Sequence, residues 1–420
     1  MEENKRSMWQ FPWRYPESIA FVLGVLVVGY VLQAFIGSFD FSLLLWPVNG
    51  ILGGVVILLS LLLALKRKNP IVQWLSGVPM AVSLIGGLLL LGLLMGLTPQ
   101  VKHIHHGDIS PASVLGLRQM TTSWPFVLLY FFTLLSLGTL IMRRLFHFRI
   151  ADYAFYLNHI GLWLLLFAAG WGAADMKRYV MHIREGEVEW RVYNDQGDVL
   201  ELPVGIRLND FTMEEYPPQL TVIDRETGEA QPESKPDYLQ LEEHPVSGRL
   251  AHWDIEVEQY IHEAIRNSDS TYHEVFMPGA SPAALVKAVD RTNGEISRGW
   301  ISCGNRAQLY MTLPLTNEYM LVMTQPEPKR FVSDINIYTE DGTEAHALLA
   351  VNKPHRAGHW MLYQYGYDYE AGKLSSYTSI ELVYDPWVVP VYIGIILLAA
   401  GSVCMLWIGN RRKEATDDVE

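Results

Sequence analysis

One histidine, His159, lies inside a long apolar segment of this 420-residue sequence, in the run NHIGLWLLLFAAG that begins at Asn158. Its neutral imidazole could ligate haem iron, or it could bond to a backbone carbonyl of another helix. It lies about five residues, or about 8 Å along a helix axis, past the start of the apolar run. Gly161, Gly170 and Gly172 follow, so either a flat macrocycle or a neighbouring helix could approach this segment.

A second group of histidines, His103, His105 and His106, is followed closely by Asp108. Imidazole groups suit transition metals and haem iron, which makes this loop a candidate exterior site. No cysteine or carboxylate spacing fixes a coordination geometry, and histidine clusters in loops are often solvated. A specific site and a solvated loop therefore both remain interpretations of this cluster.

No other motif predicts a self-contained active site. The sequence contains no P-loop, no GxSxG elbow and no HExxH pair, and the eight histidines between residues 182 and 359 are scattered. Pro354 and Gly358 predict a turn around His355 and His359. The two cysteines at positions 303 and 404 exclude a disulfide framework and CxxC chemistry.

The elements that must position His159 are membrane spans, each of about 20 apolar residues. Six such segments predict an α-helical bundle with spans at about 19–36, 41–65, 78–97, 126–142, 154–174 and 388–408. Four clusters of Lys and Arg fall on one side if both termini are cytoplasmic, as the positive-inside rule favours. We therefore expect a multi-pass protein in contact with membrane lipid, whose first span is not a cleaved signal peptide.

The remaining long segment is acidic and has a β pattern. Half of the whole chain is hydrophobic and only 18% is charged, with a net charge of -13. Residues 175–385 carry a net charge of about -17, and no basic stripe predicts binding to nucleic acid. Alternating or β-branched runs predict strands at 188–193, 220–223 and 334–338, whereas 281–289 is predicted to be helical.

These patterns predict a three-part chain. Residues 1–174 form a membrane region with five spans, and residues 387–420 form a last span with a cytoplasmic tail. Residues 175–386 form a β-rich extracytoplasmic (periplasmic) domain of β-sandwich type between them.

Three segments resemble the ResB/CcsB family of system II cytochrome c biogenesis proteins. They are residues 158–162 (NHIGL), residues 202–217 (LPVGIRLNDFTMEEYP) and residues 350–368 (AVNKPHRAGHWMLYQYGYD). Their order between two bounding spans covers about 154–412, more than half of the chain. The first four spans and the loop at 103–106 match none of the family's motifs.

The resemblance implies a haem-handling subunit of a bacterial inner-membrane complex. His159 matches the family's transmembrane axial ligand of a transiently bound haem b. A ResC/CcsA-type partner with a Trp-rich motif, which this chain lacks, would supply the second ligand. The complex delivers haem to the CxxCH cysteines of apocytochrome c, and this chain would be a non-catalytic or co-catalytic subunit of that holocytochrome c synthase (haem lyase).

Two other functions remain as alternatives. One is a membrane-anchored assembly or structural protein that binds a partner or apocytochrome without haem. The other is a quinol-oxidising cytochrome b-type enzyme, which normally needs paired histidines on facing helices, whereas the spans contain His159 alone.

The ranking of the two histidine sites is testable. We expect the triple replacement of His103, His105 and His106 by alanine to impair cytochrome c maturation less than loss of His159, because only His159 is held by a membrane helix. Maturation in cells that carry each variant is the measurement. A complete loss in the loop variant alone would reverse the ranking.

Overall fold

The computed structural model describes residues 9–101, 110–193, 197–242, 246–277, 279–369 and 371–417, with side chains described as far as residue 407. The chain divides into a helical unit, Met1–Lys177 with Asp385–Glu420, and a β-rich unit, Arg178–Tyr384. His103, His105 and His106 lie outside the described residues, so the loop site stays a prediction.

Among the residues that the structure describes, the helical unit contains six apolar helices long enough to cross a membrane, as the sequence predicts. Three of them, α1, α4 and α6, have proline in the first turn, where its missing N–H costs no helical hydrogen bond. The helices are α1 Tyr15–Ile36, α2 Val48–Leu65, α3 Pro70–Leu75, α4 Val78–Leu97, α5 Pro111–Val114, α6 Trp124–Leu145, α7 Tyr153–Gly170 and α8 Val388–Asp417.

The second spanning helix is shorter than the predicted span, because it begins only at Val48. The preceding residues Phe41–Leu44 form a separate 3-10 helix, whose N-cap Asp40 accepts a hydrogen bond from Ser42 N at 2.9 Å. Pro47 directly precedes α2 and has no N–H to donate, so α2 does not extend back through it. An apolar run therefore continues through a break in the helix.

Helix α6 links the bundle, since it contacts α1, α2, α4 and α7. Leu129 and Leu134 are fully buried on it. Its polar Ser136 turns inward and donates a hydrogen bond to Leu75 O at 2.6 Å, while the Trp163 indole on α7 donates to Leu134 O at 3.1 Å. These two polar groups thus find carbonyl acceptors inside the protein, as an apolar solvent requires.

Helices α7 and α8 pack backbone against backbone through glycines. A Cβ atom at Gly161 would lie 2.5 Å from Leu398 N, and one at Gly401 would overlap Asn158 N. The Asn158 amide also donates a hydrogen bond to the Ser402 hydroxyl at 2.8 Å. Small residues and a polar bridge are the usual means of association between membrane helices.

In the described part of the β-rich unit, the strands form four sheets of antiparallel pairs. Their orders are β1-β17-β16-β15, β14-β13-β3-β2, β10-β9-β7-β6 with β8 on β7, and β11-β12-β4-β5. The strands are β1 Lys177–Arg184, β2 Val188–Tyr193, β3 Val199–Glu215, β4 Gln219–Asp224, β5 Leu239–Gln240, β6 Ser247–Leu250, β7 Trp253–Arg266, β8 Tyr272–Glu274, β9 Ser281–Asp290, β10 Ile296–Ser302, β11 Leu313–Pro314, β12 Tyr319–Met323, β13 Pro328–Thr339, β14 Glu344–Ala350, β15 His355–Ala357, β16 Trp360–Tyr367 and β17 Tyr377–Tyr384.

Two buried clusters hold these sheets together. The first cluster takes alternate residues from the sheets of β1 and β14, such as Ile206 on β3 and Ile335 on β13. The second surrounds Trp253 and joins the sheets of β10 and β11. Alternation along a strand places one face in the core, as at 334–338, where Ile335 and Ile337 are buried. The runs at 188–193 and 220–223 also form strands, as predicted.

The prediction of a helix at 281–289 is wrong. Residues Ser281–Asp290 form β9, which pairs on both sides with β7 and β10. Ala283, Ala284 and Val286 are fully buried there. A strand covered on both faces is apolar without strict alternation, so tertiary pairing overrides the helical propensity of alanine.

Candidate transmembrane histidine site

Aromatic side chains recur at every fourth position of α7 and its C-cap. On a helix this spacing makes each residue the neighbour of the next. The ring of Phe155 stacks on that of His159 with centroids 3.9 Å apart, and Trp163 stacks on Phe167 at 5.3 Å. Phe167 then contacts Trp171 edge to face at 5.7 Å. His159 thus belongs to an aromatic series along its own helix.

The hydrogen bonding of His159 assigns its tautomer. Nδ1 lies 3.1 Å from the backbone O of Phe155, one turn earlier. Because a carbonyl oxygen only accepts, Nδ1 carries the proton and donates it, which leaves the lone pair on Nε2. Nε2 makes no hydrogen bond to any residue that the structure describes. The accepting carbonyl group belongs to α7 itself, whereas the alternative to haem ligation expected a carbonyl group of another helix.

Basic side chains surround the end of the bundle that holds His159. The Arg144 guanidinium lies 5.1 Å from the centroid of the Phe155 ring, and the Tyr156 hydroxyl donates to Arg144 O at 3.1 Å. Arg67, which follows α2, contacts the ring of His147 after α6. The loops after α2 and α6 therefore lie at the same end. The position of the Arg144 guanidinium beside Phe155 could not be predicted from local sequence, because it depends on how α6 packs against α7.

Neighbouring parts of the protein fill the space beside the glycines that follow His159. Gly161 faces α8, a Cβ at Gly170 would lie 2.5 Å from the Tyr130 ring, and Gly172 lies against the Trp387 ring. Of the two interpretations of these small residues, the structure therefore favours close approach of neighbouring groups over space for a macrocycle. A planar ligand of His159 would have to lie elsewhere around α7.

Asp175 forms a second polar centre, which sequence reasoning missed. It is only 7% exposed, yet its carboxylate accepts hydrogen bonds from three donors. These are the backbone N of Trp46 at 2.7 Å, the Asn49 amide at 2.7 Å and the Trp387 indole at 2.6 Å. Since the donors come from chain segments next to α2 and α8, the carboxylate ties three helices together. No local sequence pattern marks it, because its partners are far apart in the chain.

We expect Asp175→Asn to destabilise the helical unit. The amide group would turn an N–H toward at least one of these donors, and an unsatisfied buried group costs about 1–3 kcal/mol. Thermal unfolding of the purified protein in detergent measures the change. Asp152→Asn, at the opposite end of α7, removes the same charge without such a cluster and is the matched control. Equal stability of the two variants would contradict the structural role.

The described histidines of the β-rich unit, which leave out His244, do not converge on a site. His346 Nε2 lies 2.8 Å from Asp334, and His182 Nδ1 lies 2.8 Å from the Ser379 hydroxyl. His355 opens strand β15 and His359 follows Gly358 in the turn to β16, as predicted. No group of three metal-ligating side chains occurs among the residues that the structure describes.

The cysteine of the β-rich unit is unsuited to thiol chemistry. Cys303 is buried in the cluster around Trp253, and burial raises the pKa of its thiol to about 12. The thiolate is the reactive form, so such a group stays inert near neutral pH.

The fold and the site define a multi-pass membrane protein with a β-rich domain. No protein-family model matches the sequence, and no curated protein matches it.

Proposed function

We propose that this chain is a haem-handling subunit of a system II cytochrome c synthase complex. The observation that carries the proposal is the hydrogen bonding and the tautomer of the His159 ring. A ligating histidine typically donates its other ring N–H to a carbonyl or carboxylate, which fixes its orientation and tautomer. The Nδ1 bond to Phe155 O meets this requirement, and Nε2 keeps its lone pair.

The donor set fits half of a haem site. His159 would hold the iron through Nε2, and its stacking on Phe155 would restrict rotation of the ring. Bound haem would supply the iron and the vinyl groups that react with CxxCH thiols. No second histidine lies within the spans, so the other axial ligand would come from a Trp-rich membrane partner.

The proposal includes an orientation and a compartment. Both termini would be cytoplasmic in a bacterial inner membrane, and the β-rich unit would be a periplasmic domain of sandwich type. The contact between Arg67 and His147 supports this orientation, since it joins two basic loops that the positive-inside rule assigns to the cytoplasm. The acidic β-rich unit would then meet basic apocytochrome c, and a salt titration of that binding tests the attraction.

A second candidate is an assembly protein without haem, which the protein contacts at Gly161, Gly170 and Gly172 favour. An absorption spectrum separates the two. We expect the chain, purified together with its Trp-rich partner, to show a Soret band. A complex that binds apocytochrome c but shows no Soret band would reject haem handling and favour assembly.

A further inference from the structure

A cleft of about 610 Å³ opens in the β-rich unit. This volume lies in the range of sites that hold small ligands. The cleft brings together the ends of β3 and β16. These strands carry most of residues 202–217 and part of residues 350–368, two of the segments quoted from the sequence above. Its walls include Glu215, Asn305, Gln325, Tyr367 and Tyr369, together with the cationic side chains of Arg306 and Lys373.

Several polar groups of the cleft are already used within the protein. The Asn305 amide donates to Ala280 O at 2.9 Å, and the Gln325 amide donates to Cys303 O at 2.9 Å. These bonds hold the loops that form the wall. The two amide N–H groups are thereby committed to the wall itself.

The carboxyl group of Glu215 is different. It is half-buried, and it makes no hydrogen bond or ion pair to any residue within the described ranges. The nearby Lys373 ammonium is paired with Glu263 at 3.1 Å. Burial raises the pKa of Glu215, and the Lys373 charge only partly opposes this shift.

Aromatic rings form the wall beside this carboxyl group. Tyr367 is only 5% exposed and packs against Phe331 with centroids 5.0 Å apart. Tyr369 stands 4.6 Å from Tyr367 and is 74% exposed, so its face is open to a ligand. A carboxylate combined with aromatic faces is the arrangement that recognises organic cations.

We propose that this cleft binds the ammonium or guanidinium group of a lysine or arginine side chain on a polypeptide, with Glu215 as the counter-ion and Tyr369 against the alkyl stem and charge. The strongly acidic surface of the unit attracts a basic polypeptide toward the cleft. Free amines share the chemistry but not the flanking chain. The inference does not depend on haem binding at His159.

Binding of a fluorescent peptide to the full-length protein in detergent tests the proposal. The probe is a blocked, uncharged peptide with one lysine, compared with the same peptide carrying norleucine and with free butylamine. We expect the lysine peptide to bind at least tenfold more tightly than either. Glu215→Gln should weaken its binding about tenfold, the usual size of one lost charged hydrogen bond.

Two further variants keep the test decisive. Glu214→Gln removes the neighbouring carboxylate, which is paired with Arg330 at 3.8 Å, and should leave binding unchanged. Tyr369→Leu changes an exposed ring, so it preserves folding and should still weaken binding severalfold. Equal binding of the lysine and norleucine peptides, equal losses in E214Q and E215Q, or binding by butylamine as tight as by the peptide would overturn the proposal.

Discussion

Replacing His159 with alanine is expected to abolish the haem that co-purifies with the chain and its partner. Alanine removes the Nε2 lone pair, and the described spans offer no other histidine within their apolar cores. The Soret absorbance per mole of complex is the measurement, and it should fall to the background level. Because the His159 side chain is only half-buried, the variant should still fold.

Two controls separate ligation from a structural effect. His147→Ala removes a histidine from the same end of the bundle, where it contacts Arg67, and should retain haem. His159→Gly leaves space in which added imidazole can replace the missing ring, so imidazole should restore part of the Soret band. An unchanged haem content in His159→Ala would reject the ligand role, whatever the controls give.

Replacing Gly401 with alanine should destabilise the helical unit more than any other Gly-to-Ala change in its helices. The new methyl group would overlap the backbone of Asn158, and overpacking a close contact costs about 1–3 kcal/mol. Separation of α7 from α8 would also break the bond between Asn158 and Ser402, which is 2.8 Å long. The midpoint of thermal unfolding in detergent should fall by several degrees.

Gly92→Ala is the matched control for this change. A Cβ atom at Gly92 on α4 meets nothing within 4 Å, and replacing a helical glycine that has space gains about 0.5–1 kcal/mol. The two variants should therefore shift the midpoint in opposite directions. If Gly401→Ala unfolds at or above the temperature of Gly92→Ala, the close packing of α7 against α8 is refuted.

The spans and the strands at 188–193, 220–223 and 334–338 were predictable because their signals are local. A bilayer demands about 20 apolar residues, and a half-buried strand alternates, so both patterns are visible without knowledge of the fold. Ser281–Asp290 was mispredicted because its two neighbouring strands, β7 and β10, decide its conformation. The start of α2 at Val48 was missed because hydropathy does not register the break at Pro47.

His159 was recognisable as a candidate from sequence alone, since an ionisable group inside an apolar span is costly and rarely accidental. The sequence left open which ring nitrogen is available and what the neighbouring glycines contact. Those answers depend on the 3.1 Å bond to Phe155 O and on the packing of α8 against Gly161.

The amino-acid sequence thus predicts a six-span membrane protein with an acidic β-rich unit and one imidazole within a span, because hydropathy, charge and periodicity are properties of short segments. The hydrogen-bonded cluster around Asp175 and the cleft at Glu215 exist only in the folded chain. Each joins side chains that are far apart in sequence, as Trp46 and Trp387 are at Asp175. Such contacts are set by packing between elements, which no single segment encodes.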